Sequence, residues 1–196
     1  MEGVLAADHA VLRWLNSWVG HFPALDAVLK VVVSDYFIPV LFSLVLLGLW
    51  FGWKDERMKD RNQRAVFIAM SSLGFANLAV FAINHFYFRP RPFAEYTLNL
   101  LFYQPTDSSF PANPVALTFA IATGVYQANP RLGLAMYLLA TVFGLTRVYA
   151  GVFYPLDIVG GALVGVTIGF LVTLLFRLLH PIPTLALRVA RVFHIA

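Results

Sequence analysis

The chain has 196 residues, of which 60% are hydrophobic and 12% charged, with a mean hydropathy of +0.74. A water-soluble domain of this size could not hide so much apolar side chain, so the composition specifies a bilayer as solvent. The formal charge of +4 suits anionic headgroups and basic cytoplasmic loops, whereas a nucleic-acid partner would need a concentrated basic face that the sequence lacks. Cysteine is absent, which removes disulfides and thiolate metal ligands, and neither a metal nor a cofactor is implied.

In chain order, residues 1–20 are interrupted by Asp8, His9 and Arg13 and do not form the apolar core of a signal peptide. Val4, Leu5, Val11, Leu12, Leu15, Trp18 and Val19 alternate with polar residues as in an amphipathic helix lying on the membrane. Residues 24–35 carry Asp26, Lys30 and Asp35 and read as interfacial or packed on the first span, a tilted sixth span being the alternative. Crossing about 30 Å of hydrocarbon takes roughly 20 helical residues, and five segments meet that filter: 36–53, 65–88, 115–127, 132–149 and 156–179. The third is short, as expected of a helix that ends at a protein-lined pocket.

The expected architecture is therefore an all-α integral membrane protein, a bundle of five transmembrane helices, or six, with interfacial amphipathic helices. It forms a single membrane domain over 1–196: interfacial helices in 1–35, a transmembrane core over 36–179, and a cytoplasmic amphipathic tail over 180–196 with Arg188 and Arg191 on one side.

Residues 54–64 hold five basic side chains between the first two spans, so the positive-inside rule puts them in the cytoplasm. The loops over 89–110 and 150–155 then fall outside. Three costly polar groups arrive at that outer end. Arg89-Pro90-Arg91-Pro92 must leave the helix, because proline disfavours helix for the residue before it, and the arginines suit bidentate phosphate binding. Asn113-Pro114 reads as a helix cap followed by proline at the first helical position, an end whose N–H groups can face an anion. Arg147 closes the fourth span, and Asp157 lies in the first turn of the fifth. Snorkelling and ordinary capping explain each piece alone, but not their joint arrival at one surface.

The three segments, in this order and at these span ends, resemble the type 2 phosphatidic acid phosphatase superfamily, which includes bacterial undecaprenyl pyrophosphate phosphatases. The resemblance covers residues 84–169. The family pattern is a lysine, six residues, then Arg-Pro; next Pro-Ser-Gly-His; then Ser-Arg, five residues, His, three residues and Asp. This chain matches with Asn84 and Arg91-Pro92, with Pro111-Ala112-Asn113-Pro114, and with Thr146-Arg147, Phe153 and Asp157. The resemblance implies an outward-facing pocket for a lipid phosphate or pyrophosphate, bound at Asn84, Arg89, Arg91, Ala112, Asn113 and Arg147. It also implies a histidine nucleophile and a histidine general acid, but Phe153 and Pro114 occupy those two positions. Neither side chain can do the work, so family hydrolysis is expected to be impaired.

With no histidine to orient, Asp157 is expected to pair with Arg147 or to cap its own helix. His85 is one turn from Arg89 and has no evident orienting carboxylate. Gly161, Gly165 and Gly169 line one face of the fifth span and invite close approach of another helix, within the chain or in a homodimer. The partner is expected to be a phosphorylated membrane lipid and the location a bacterial plasma membrane. The alternatives are a pseudoenzyme that binds or translocates a lipid phosphate, and a membrane scaffold with no ligand.

Overall fold

The computed structural model describes residues 2–179; the tail expected over 180–196 lies outside them. The described residues form α1 (Glu2–Ser17), α2 (Pro23–Val32), α3 (Phe37–Phe51), α4 (Glu56–Phe86), α5 (Pro92–Glu95), α6 (Asn113–Tyr126), α7 (Pro130–Tyr149) and α8 (Pro155–Leu178). All five apolar segments are helical. Helices α4, α7 and α8 are each long and apolar enough to cross a membrane, and α2 and α3, bent by 50° at their junction, are so as a pair. Helix α6 has 14 residues and spans about 21 Å. It is lined on several sides by protein, with Val115, Ala116, Ala120, Ala122 and Val125 fully buried, so it need not match the hydrocarbon thickness.

Helix α4 departs from the expected loop over 54–64. The carboxylate of Asp55 accepts the N–H groups of Arg57 and Met58 at 2.8 and 3.0 Å, and no proline or glycine interrupts the chain from Glu56 until Gly74. The charged segment is therefore the first two turns of a 31-residue helix. At about 46 Å it exceeds the hydrocarbon core, which lets those turns stand clear of it.

The glycine stripe of α8 packs on α6. A Cβ at Gly161 would sit 2.5 Å from the Ala112 carbonyl oxygen, one at Gly169 would sit 2.5 Å from Thr123 Cβ, and one at Gly165 would overlap the Ala116 carbonyl oxygen. Backbone approach of this kind is what small residues permit in membranes, and here it is used within the chain.

The N-terminal helices are fastened to the bundle end. Leu12 is fully buried, and the Asn16 side chain donates to the carbonyls of Asn99 and Tyr149 at 2.9 Å while accepting the Asn99 N–H. Asp26 of α2 accepts the Tyr149 hydroxyl at 2.7 Å. Polar contacts thus hold these helices against the bundle, not only against lipid. Two apolar clusters complete the core: Phe42, Leu46, Ile121, Val125, Met136 and Phe143 between α3, α6 and α7, and Leu12, Val115, Val152, Phe153 and Ile158 beneath the loops. In the turn between α7 and α8, Gly151 adopts φ 77°, a left-handed conformation that side chains resist.

Candidate functional site

The loop after α4, the start of α6 and the α7–α8 turn meet at one end of the bundle, as the sequence predicts. They enclose a cavity of about 430 Å³ lined by Arg91, Asn113, Pro114, Arg147 and Phe153, with Asp35, Tyr103 and Asp107 at its acidic side. Among the described residues no histidine lines it.

Arg91 caps α5 in an extended conformation, φ −79° and ψ 154°, as the flanking prolines require. Its Nε donates to the Asp107 carbonyl at 3.0 Å, Nη2 to Asp107 Oδ1 at 2.9 Å, and Nη1 to the Val152 carbonyl at 3.2 Å. Its guanidinium lies 4.3 Å from the centre of the Phe153 ring. Arg147, in the last turn of α7, donates from Nη2 to Asp35 Oδ1 at 2.5 Å. It sits among the rings of Phe143, Phe102 and Phe153 at 4.7, 4.9 and 6.0 Å, and its buried Nε has no acceptor. Phe153 therefore stands between the two guanidiniums, where it offers a π face and no lone pair to attack phosphorus.

The two arginines are buried but their partners are not: Asp107 and Asp35 are 61% and 40% exposed. Because those carboxylates reach solvent, an anion of higher charge can take their place and keep the buried guanidiniums compensated. Tyr103 donates to Asp35 at 2.8 Å; that hydrogen bond, with burial, raises its pKa above the usual phenol value and keeps it a donor.

Arg89 is held differently. Nη1 donates to Asp157 at 2.6 Å and Nη2 to Asp8 at 2.8 Å, both carboxylates being fully buried, and the Tyr154 ring lies 4.0 Å away. Burial alone would lower the Arg89 pKa, but the two carboxylates outweigh it and hold the group above its ordinary value. The second oxygen of Asp157 accepts the Tyr154 N–H at 2.8 Å, and that of Asp8 accepts the Leu156 N–H at 2.8 Å. Asp157 thus caps α8, as one of its expected roles required, and pairs with Arg89 instead of Arg147. Arg147 is already taken by Asp35, and Asp157 is reached first by the guanidinium from the α4 loop.

Asn113 is the first residue of α6, not its cap; Ala112 holds the capping position without a side-chain bond, and Asn113 donates to Asn77 at 3.2 Å. Ala112 is buried, and its N–H donates to the Asp157 carbonyl at 3.0 Å. Neither Ala112, Asn84, Arg89 nor Asp157 lines the cavity. His85 is exposed and packs edge-on against Phe86. Asp8, Asp35 and Asp107 are the partners of these arginines that sequence reasoning missed. Asp8 and Asp35 meet their arginines across 81 and 112 residues, and no local pattern encodes such pairings.

The chain is 28% identical to undecaprenyl-diphosphatase BcrC of Bacillus subtilis (strain 168) over 184 residues, 93% of this chain and 91% of that protein. Its structure is similar to that of Aquifex aeolicus LpxE, with a TM-score of 0.65, 28% identity, and coverage of 84% and 93% of the two chains. The fold also matches a transmembrane PAP2-type phosphatidylglycerolphosphate phosphatase from Bacillus subtilis, with a TM-score of 0.65, 21% identity, and coverage of 92% and 90%. The PAP2 superfamily model matches residues 65–180, and the chain belongs to that superfamily of membrane lipid phosphatases.

Proposed function

We propose that this protein binds the phosphate or pyrophosphate of a membrane lipid, such as undecaprenyl pyrophosphate, between Arg91 and Arg147, and that it does not run phosphohistidine hydrolysis. One observation carries the reading. The two arginines share a cavity with Pro114 and Phe153 and with no described histidine, so groups able to bind are present where groups able to react through imidazole are not. Binding exchanges Asp35 and Asp107 for phosphate oxygens, which accept charge-assisted hydrogen bonds from both guanidiniums and the unpartnered Nε of Arg147. Asn113, at the start of α6, adds a polar side chain and a helix N-terminus.

Arg89 and Asp157, buried in their own ion cluster, set the loop positions and leave ligand contact to the other two arginines. Asn84 and Ala112, outside the cavity lining, serve the same framework. The site faces the extracytoplasmic side, a reading supported by the basic turns of α4 at the opposite end. The outcome is a pseudoenzyme that carries, senses or helps translocate its lipid. The kinship with undecaprenyl-diphosphatases supports the choice of a pyrophospholipid.

The test is binding of undecaprenyl pyrophosphate by the purified protein and by its Arg91→Gln, Arg147→Gln double variant. Each charge-assisted contact contributes about 1.5–3 kcal/mol, so the double variant is expected to bind at least a hundredfold more weakly. Unchanged affinity sinks the proposal and favours a scaffold without a ligand.

A further inference from the structure

At the opposite end of the bundle a second cavity, of about 340 Å³, is lined by Arg61 and Arg64 of α4 and Arg177 of α8. Ile68 and Phe176 form part of its apolar wall, and among the described residues no carboxylate lines it. Arg89, Arg91 and Arg147 each hold a carboxylate. By contrast, among the described residues none of Arg61, Arg64 and Arg177 forms an ion pair with a carboxylate. Farther along the same two helices runs a groove of about 480 Å³ whose walls include Phe75 and Ala79 of α4 and Ile168 and Leu175 of α8. On α4 the two linings share one face, because positions 61, 64, 68, 75, 79 and 82 recur at helical spacing. Three cations without an acid partner among the described residues, with an apolar channel on the same face of α4, match an anionic head joined to a hydrocarbon tail.

We propose that this end is a binding site for an anionic phospholipid of the leaflet opposite the Arg91–Arg147 cavity. Its phosphate is held by Arg61, Arg64 and Arg177, and one acyl chain lies along the α4–α8 groove. Basic pockets between transmembrane helices recognise phospholipid headgroups by this chemistry. Guanidiniums satisfy phosphate oxygens in pairs, and the neighbouring apolar wall excludes an unesterified anion from the full set of contacts.

The test measures binding of dioleoyl phosphatidylglycerol to the full chain in neutral detergent, by native mass spectrometry, with dioleoyl phosphatidylcholine and inorganic phosphate in parallel. Phosphatidylglycerol is expected to bind far more tightly than either comparison. Arg61→Gln, Arg64→Gln, Arg177→Gln should weaken it roughly a hundredfold, about fivefold for each arginine. Each arm is repeated in the Arg91→Gln, Arg147→Gln background, which removes any lipid held in the other cavity. Ala79→Trp, which fills the groove and keeps every charge, is expected to weaken it about tenfold and provides the reading if the triple variant does not fold. The proposal is overturned by equal binding of phosphatidylcholine, or by full retention, in that background, in the triple variant or in Ala79→Trp. Inorganic phosphate binding as tightly as the lipid overturns the lipid assignment and leaves a free-anion site.

Discussion

Burial of the partner separates the three arginines at the loop end. Arg89 is locked by two fully buried carboxylates, and breaking a buried pair costs about 3–5 kcal/mol because a charge is left stranded. Asp157→Asn should therefore lower stability by about 3 kcal/mol, seen as an earlier midpoint in thermal unfolding in detergent. Asp107→Asn, at a half-exposed pair, should cost under about 1 kcal/mol. The exposed acids compete with ligand, so Asp35→Asn, Asp107→Asn is expected to raise pyrophospholipid affinity about three- to tenfold, measured by direct binding; weakened binding would mean that these acids help to build the site. The arginines were legible in the sequence because Pro90, Pro92 and the motif spacing pinned them to helix ends. Of their acids only Asp157 was legible; Asp8 sits in an amphipathic helix and Asp35 and Asp107 in connecting segments, where an aspartate looks solvated until the fold carries it to its partner.

Hydropathy marked every long helix because a bilayer filters for apolar length and little else. The start of α4 escaped that filter: its first turns are charged and depend on the Asp55 cap, so composition read them as a loop. The four-residue α5 and the docking of α1 escaped it as well, the latter resting on Asn16 and Asp8, two polar residues. The α6–α8 interface was half legible, as a glycine stripe that offered a chain-internal or a dimeric partner. Gly165→Leu must push α8 off the α6 backbone and is expected to destabilise by about 1–3 kcal/mol or more. Gly74→Leu, where a Cβ meets open space, should be near neutral, and thermal unfolding of the pair in one detergent checks both.

For the whole molecule, the bundle places cationic cavities at both ends of α4 and α6, one with half-exposed acid partners and one with none among the described residues. The chain belongs to the PAP2 superfamily, and its first cavity is lined by Pro114 and by Phe153, whose ring packs against Arg91 and Arg147. The claim that binding persists without phosphohistidine turnover is tested most directly by phosphate release from undecaprenyl pyrophosphate. The assay compares the chain as it stands with Pro114→His, Phe153→His. Loss of a nucleophile suppresses rate on the order of a million-fold, so the unmodified chain should release no phosphate above background and the double variant should release it measurably. Turnover by the unmodified chain that is abolished by Arg91→Gln, Arg147→Gln would contradict the account.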